Sequence, residues 1–270
     1  MCGLPGHTLG HSVLESPPTY IPGLDLTDKF CRYGFFDRTI NEIEMVLADG
    51  EIVTASPTER PDLFYGAASS FGTLGVTTLL ELQLIDAKRY VELTYHPVRS
   101  ISDAVAKIKE TTADPAIDYV DGIMYGLNRG VICAGRLTDE IKPGVKKQQF
   151  TRAHDPWFYM HAHDSIIKSS ETSHPQVEAV PLRDYLFRYD RGGFWVGHFV
   201  FSYFITPFNR LTRWLFDYFL HTRMMYAGLQ ESGLHTKYVI QDVAIPLDRS
   251  EEFFAWLQTF SEATPSGCVP

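Results

Sequence analysis

Ser69-Ser70-Phe71-Gly72-Thr73-Leu74-Gly75-Val76-Thr77-Thr78 leads straight into a β-like run from Leu79 to Ile85. Small residues ahead of a strand let the backbone approach something closely. Two readings stand here. One is a tight connection in which a helix and a strand pack; the other is a loop whose backbone closely approaches a ligand. The residues upstream set the frame. Ile40, Glu42, Glu44 and Val46 fall on one alternating set, and Asn41, Ile43, Met45 and Leu47 on the other. Ala48-Asp49-Gly50 and then Glu51-Ile52-Val53-Thr54 follow. Two β-rich runs around an Asp-Gly turn predict a hairpin, expected to share a sheet with the strand from Val76. Pro57 to Tyr65 reads as a turn and a short helix, entered through Thr58-Glu59-Arg60-Pro61-Asp62, with Leu63, Phe64 and Ala67 facing inwards.

A second module begins after residue 88. Tyr90 to His96 alternates like a strand, and Ile101, Val105 and Ile108 recur at helical spacing. Tyr119 to Tyr125 and Val131 to Leu137 predict two strands joined by Gly126-Leu127-Asn128-Arg129-Gly130. Far downstream, Tyr238 to Pro246 is strand-like. Ser250 to Phe260 then predicts an amphipathic helix with Ser250 as N-cap and Phe253, Phe254 and Leu257 on the buried side. With the middle removed, this is a ferredoxin-like order lacking its final strand. The four strands 90–96, 119–125, 131–137 and 239–246 are expected in one separate antiparallel sheet. Residues 138–237 form a long insertion that turns aromatic, from Phe194 and Trp195 to Tyr218 and Phe219. Three readings of those aromatics stay open: core, the wall of an apolar pocket, or a surface lying on a membrane beside Arg210, Arg213 and Arg223.

A chain of 270 residues with 44% hydrophobic and 21% charged residues is ordinary for a globular protein with a substantial core. The net charge of −9, without a basic patch, argues against a nucleic-acid partner. Cys2, Cys31, Cys133 and Cys268 form no CxxC pair, so a reducing compartment is expected rather than a disulfide framework. Residues 1–30, rich in Gly and Pro, read as an unstructured or atypical lead. Met1 to Gly10 has neither a basic n-region nor an apolar h-region of a signal peptide. No uncharged apolar run reaches the roughly 18–20 residues of a spanning helix. If the chain is complete, it is expected to be cytoplasmic. His154, His161, His163 and His174 show no ligand spacing with Cys or Glu, and no metal is expected. Asp103, Asp114, Asp118 and Asp121 carry no paired-carboxylate signature of glycoside hydrolysis.

Tyr33-Gly34-Phe35-Phe36-Asp37, Val46-Leu47-Ala48-Asp49-Gly50, Pro61-Asp62-Leu63-Phe64-Tyr65 and Phe71-Gly72-Thr73-Leu74-Gly75-Val76-Thr77 together resemble the second half of a PCMH-type FAD domain of the vanillyl-alcohol-oxidase superfamily. Four elements in this order are far more specific than any one of them. The later chain is similar to the Delta(24)-sterol reductase branch, in Ala87-Lys88-Arg89-Tyr90-Val91, Tyr95-His96-Pro97-Val98-Arg99, Pro181-Leu182-Arg183-Asp184-Tyr185 and Arg188-Tyr189-Asp190-Arg191-Gly192-Gly193-Phe194-Trp195, among others. The resemblance implies an α+β protein: a second FAD-binding subdomain over 31–87, then a ferredoxin-like cap over 88–264 carrying the aromatic insertion. It further implies reduction of a sterol side-chain C24 double bond with FAD and NADPH at the endoplasmic reticulum membrane. The glycine-rich loop that the superfamily places earlier has no counterpart before residue 30, so the chain is expected to be shortened at both ends and to bind FAD weakly or not at all.

On that resemblance Tyr33, Gly34, Ser70, Gly72, Thr73, Leu74, Gly75, Val76 and Thr77 are the cofactor candidates. Arg183, Tyr185, Arg188, Arg191 and Trp195 are the substrate-side candidates. A flavin reductase acting on an isolated alkene needs a hydride at one carbon and an acid near the other. Tyr185 is a candidate donor and an Arg a candidate anion partner; a structural knot of these arginines with Asp184 and Asp190 around a packed Trp is the competing reading. Two alternatives in function remain open. One is another FAD-dependent oxidase or dehydrogenase of this fold; the other is a non-catalytic cap that binds lipid or a partner.

Overall fold

The computed structural model describes residues 36–126, 128–172, 174–193, 195–233 and 245–262. The chain divides into two compact units, Arg32–Ala87 and the remainder from Lys88. The mixed α+β structure carries two separate sheets, one in each unit.

The smaller unit holds a three-stranded antiparallel sheet in the order β2-β1-β3, from β1 (Ile40–Val46), β2 (Ile52–Ala55) and β3 (Val76–Leu82). Val46 pairs with Ile52 on one side and with Val76 on the other, so the hairpin and the downstream strand share a sheet as the alternation predicts. Asp49 closes the turn by accepting the Glu51 amide, and Gly50 sits at φ 87°, where a side chain is strained. The α1 helix (Pro61–Ala67) covers one face through Phe64, which packs with Ile43, Met45, Val53 and Ala55. Every residue of the β3 edge strand is exposed, including Val76, Leu79, Leu80 and Leu82.

The larger unit is built on a five-stranded sheet in the order β5-β6-β4-β8-β7. Its elements are β4 (Tyr90–Val98), α2 (Ile101–Ala113), β5 (Tyr119–Gly126), β6 (Arg129–Thr138), β7 (Lys146–Lys147), α3 (Phe158–Thr172) and β8 (Gln176–Pro181). Ser100 caps α2 by accepting the Asp103 amide. Successive residues of β6 face opposite sides, which gives the sheet two cores. Ile132 joins Val120 and Met124 under Ile101, Ala104 and Ile108 of α2. Val131 and Cys133 join Val91, Leu93 and Tyr95 under Trp157 and Phe158 of the α3 region.

Two features differ from what the sequence predicts, and one reading that the sequence left open is narrowed. β8 pairs with β4 along Tyr90–Tyr95, so a strand antiparallel to β4 lies inside the stretch assigned to the insertion. The α8 helix (Ser250–Glu262) starts at Ser250 itself, and Leu257 is exposed while Phe254 packs on the α2 core. The aromatic stretch is not mostly core. It forms the short helices α5 (Trp195–Tyr203) and α6 (Arg210–Leu215), followed by α7 (Thr222–Glu231). Phe201 is buried among the described side chains, but Tyr203, Phe204, Trp214, Tyr218 and Phe219 are exposed. Helices of 9 and 6 residues interrupted at Pro207 cannot turn every aromatic to one side. Of the expected strand 239–246, residues 239–244 lie outside the described residues, as does the lead at 1–30.

Candidate functional site

In the smaller unit, the turn ahead of β3 is held open by a run of left-handed backbone. Ser69 has φ 59°, Phe71 φ 52° and Gly72 φ 76°. Such values cost a non-glycine residue about 1–2 kcal/mol, so the turn must be held by its surroundings. The Thr73 amide and hydroxyl both donate to the Ser70 carbonyl, at 3.0 and 2.7 Å, and the Ser70 amide donates to the Ala67 carbonyl. The amides of Phe71, Gly72 and Leu74 have no partner among the described residues, and the segment is exposed. Consecutive amides in left-handed turns form concavities that suit anionic oxygens. The residues present therefore fit a phosphate or flavin oxygen.

The two glycines of this turn differ. A side chain on Gly72 would meet nothing nearer than the Gly75 carbonyl at 3.9 Å. A Cβ on Gly75 would lie 2.6 Å from the Val46 carbonyl, so Gly75 lets β3 close against β1. Ser70, Thr73, Leu74, Val76 and Thr77 are brought together in this one segment, whereas Tyr33 and Gly34 lie outside the described residues.

The substrate-side candidates occupy the larger unit around α4 (Leu182–Leu186). Arg183 is exposed, and Tyr185, Arg188 and Arg191 are buried. Trp195 begins α5, and its side chain lies outside the described residues. The Arg188 guanidinium stacks over the Tyr185 ring at 4.0 Å and the Tyr189 ring at 4.6 Å. It donates to the Asp121 carboxylate at 2.6 Å and to the Tyr185 carbonyl at 2.7 Å. Tyr189 also donates to Asp121, at 2.7 Å. Burial, reinforced by the Asp121 charge, pushes the Tyr189 phenol well above its ordinary range, so it stays protonated. Burial alone would lower the Arg188 pKa, but Tyr185, Asp121 and Tyr189 together raise it well above the usual value.

Arg191 is held by four acceptors. It bonds Asp217 through Nε at 2.7 Å and the carbonyls of Phe150, Ala153 and Asp155 through its terminal nitrogens. The carboxylates of this knot are thus Asp121 and Asp217, not Asp184 and Asp190 as the competing reading of the sequence has it. Asp184 accepts the Phe150 and Thr151 amides, and Asp190 pairs with His221 at 2.6 Å. Its packed Trp is Trp157, pressed against Gly192.

A third polar cluster, absent from the sequence reading, lies in the same core. His161 on α3 bonds Glu178 on β8 at 2.7 Å, and the Tyr95 hydroxyl donates to the same oxygen at 3.3 Å. Burial works against charge on Glu178, but the bonds from His161 and Gln176 hold its carboxyl below the ordinary range. The signal was a Glu at a core position of a β-like run. His163, two positions from His161, points the other way and meets Tyr125 beside a cleft of about 300 Å³ shared with Tyr159, His198 and Phe208. Among the described residues no three His, Cys, Asp or Glu side chains group as a metal site.

No family model matches the chain. Comparison with curated proteins finds relatives that are named as reductases and dehydrogenases, and the chain is a homologue of these oxidoreductases. The Delta(24)-sterol reductase of Homo sapiens is 32% identical over 234 residues, covering 84% of this chain and 43% of the human protein. The Arabidopsis thaliana Delta(24)-sterol reductase is 30% identical over 258 residues, 88% of this chain and 44% of the relative. Cytokinin dehydrogenase 9 of Oryza sativa subsp. japonica is 26% identical over 122 residues, 44% of this chain and 23% of the relative. The chain is thus a homologue of the Delta(24)-sterol reductases, and it spans less than half the length of those it matches.

Proposed function

We propose that this chain forms part of an FAD-dependent oxidoreductase that reduces the C24 double bond of a sterol side chain at the expense of NADPH. The observation that carries this reading is the exposed turn of unpartnered amides at Phe71, Gly72 and Leu74, at the position the family resemblance gives to the cofactor. On this reading the unit at 32–87 is the second FAD-binding subdomain, and Ser70, Gly72, Thr73, Leu74, Gly75, Val76 and Thr77 hold the cofactor. Bound FAD supplies the hydride. The larger unit is read as a ferredoxin-like cap whose helices are α2 and α8, which share a core through Phe254 on one face of the β8-β4-β6-β5 sheet, while α3 covers the other face. Within it Tyr185, Arg188 and Arg191 fix the shape of the cap, and Arg183 remains at the surface for an anionic group.

The exposed aromatics complete the reading. Trp214, Tyr218 and Phe219 stand open beside the exposed Arg210 and Arg223, a composition that suits the interface of the endoplasmic reticulum membrane, where a sterol is delivered. No helix among the described residues is long and apolar enough to cross a membrane. The test is an anaerobic assay with FAD, NADPH and a C24-unsaturated sterol in detergent, analysed by mass spectrometry. Reduced sterol formed in step with NADPH oxidation is expected. NADPH oxidation in air that yields peroxide and no reduced sterol would replace this reading with an oxidase of the same fold, the alternative that the cytokinin dehydrogenase relative favours.

A further inference from the structure

At the end of the larger sheet, two arginines come together without a carboxylate to neutralise them. The β4–β6 register runs Pro97↔Val131 and Val98↔Gly130, and Arg99 and Arg129 flank this last pair. Both side chains are exposed, and neither guanidinium has a partner among the described residues. Asp103 lies close by, but it accepts the Arg99 amide at 3.3 Å rather than the guanidinium. The register is pinned here because a Cβ on Gly130 would lie 2.3 Å from the Met124 sulfur and 3.0 Å from the Ile123 carbonyl.

The same two arginines line a cleft of about 620 Å³ together with Asn128, Ser169 and His174. Ser169, on α3, is 7% exposed, and its hydroxyl oxygen is buried with no hydrogen-bond partner among the described residues. A buried hydroxyl left unsatisfied is destabilising, and a native structure keeps one where something else completes it. Two forked guanidiniums, an imidazole, a side-chain amide and a hydroxyl form a donor set suited to a tetrahedral oxyanion. The volume accommodates more than an inorganic ion.

We propose that this cleft binds the phosphate group of a small phosphorylated ligand, gripped between Arg99 and Arg129 with the Ser169 hydroxyl beneath it. The ligand neutralises the two arginines and supplies the missing acceptor for Ser169. This site belongs to the larger unit alone and does not rest on the flavin reading of the turn at 69–77.

Isothermal titration of the 270-residue protein at low salt, with inorganic phosphate and separately with 2′,5′-ADP, tests the proposal. Saturable 1:1 binding is expected with both. Equal affinities would show that the phosphate alone is recognised, and a tighter 2′,5′-ADP would show that the rest of the cleft holds a nucleotide. Arg99→Ala and Arg129→Ala should each weaken binding at least tenfold, and Ser169→Ala several-fold. Lys109→Ala, which removes a charge elsewhere on the surface, should leave it unchanged. The arginine side chains are exposed, so unfolding midpoints in urea should stay at the parent value. Absence of saturable binding to both probes, binding unaltered in the arginine variants, or an equal loss in Lys109→Ala would each overturn the site.

Discussion

Arg188 is bonded to Asp121 across 67 positions of sequence, with a guanidinium nitrogen 2.6 Å from the carboxylate. Both side chains are close to fully buried, at 10% and 12% exposure, so neither charge has water to fall back on. Asp121→Ala leaves the Arg188 charge stranded against the rings of Phe158, Tyr185 and Tyr189. Removing one partner of a buried pair costs about 3–5 kcal/mol. Urea unfolding should show a loss of that size; a change below about 1 kcal/mol, the usual worth of an exposed pair, would mean that the pair is solvated.

Gly192 occupies a place that admits no side chain. It has φ 83°, and a Cβ there would lie 2.5 Å from the Trp157 ring. The Gly192 amide donates to the Leu220 carbonyl, and its own carbonyl accepts from the Gly197 amide, which holds the loop in place. Overpacking and left-handed strain together predict a loss of roughly 2–4 kcal/mol for Gly192→Ala. Denaturant titration monitored by tryptophan fluorescence measures it. An unchanged midpoint would show that the loop has room to move.

His221 provides a dependence on pH. The Asp190 hydrogen bond raises its pKa, burial opposes the shift, and the charges of Asp190 and Asp217 add to it against Arg191. A histidine whose folded pKa is raised contributes stability that is fully present below its unfolded value of about 6.5 and is lost as pH rises through the folded value. The parent protein should therefore exceed His221→Gln in stability at pH 5.5, and the gap should narrow as pH rises past the raised pKa. A gap that widens with pH would reverse the sign of the assignment.

Much of the fold is legible in the sequence because alternation is strong where one strand face is buried. The hairpin at 40–55 and its pairing to β3 follow from Ile43 and Met45, which are buried between exposed or half-buried neighbours. β8 escapes the same reading because Glu178 occupies a core position, and only the structure supplies His161 to make that tolerable. The partners of Arg188 and Arg191 were equally hidden. Asp184 and Asp190 are near in sequence, yet the carboxylates that bond these arginines sit on β5 and in the turn before α7. Composition also cannot say which way an aromatic faces, so three readings of the stretch ending at Phe219 stay open in the sequence, and in the structure most of its described rings are exposed.

The central claim is that the turn at 69–77 touches FAD, and flavin titration of the 270-residue protein with its Gly72→Val variant tests it most directly. Gly72 has φ 76° and no neighbour in the way of a side chain, so the substitution closes the amide cradle without displacing the core. Gly50→Val serves as the control, since Gly50 has a comparable φ of 87° and equally open surroundings in the β1–β2 turn. Weak, saturable binding of FAD to the parent chain is expected, retained in Gly50→Val and reduced at least tenfold in Gly72→Val. Equal affinity in Gly72→Val, or no saturable binding by the parent chain, would contradict it.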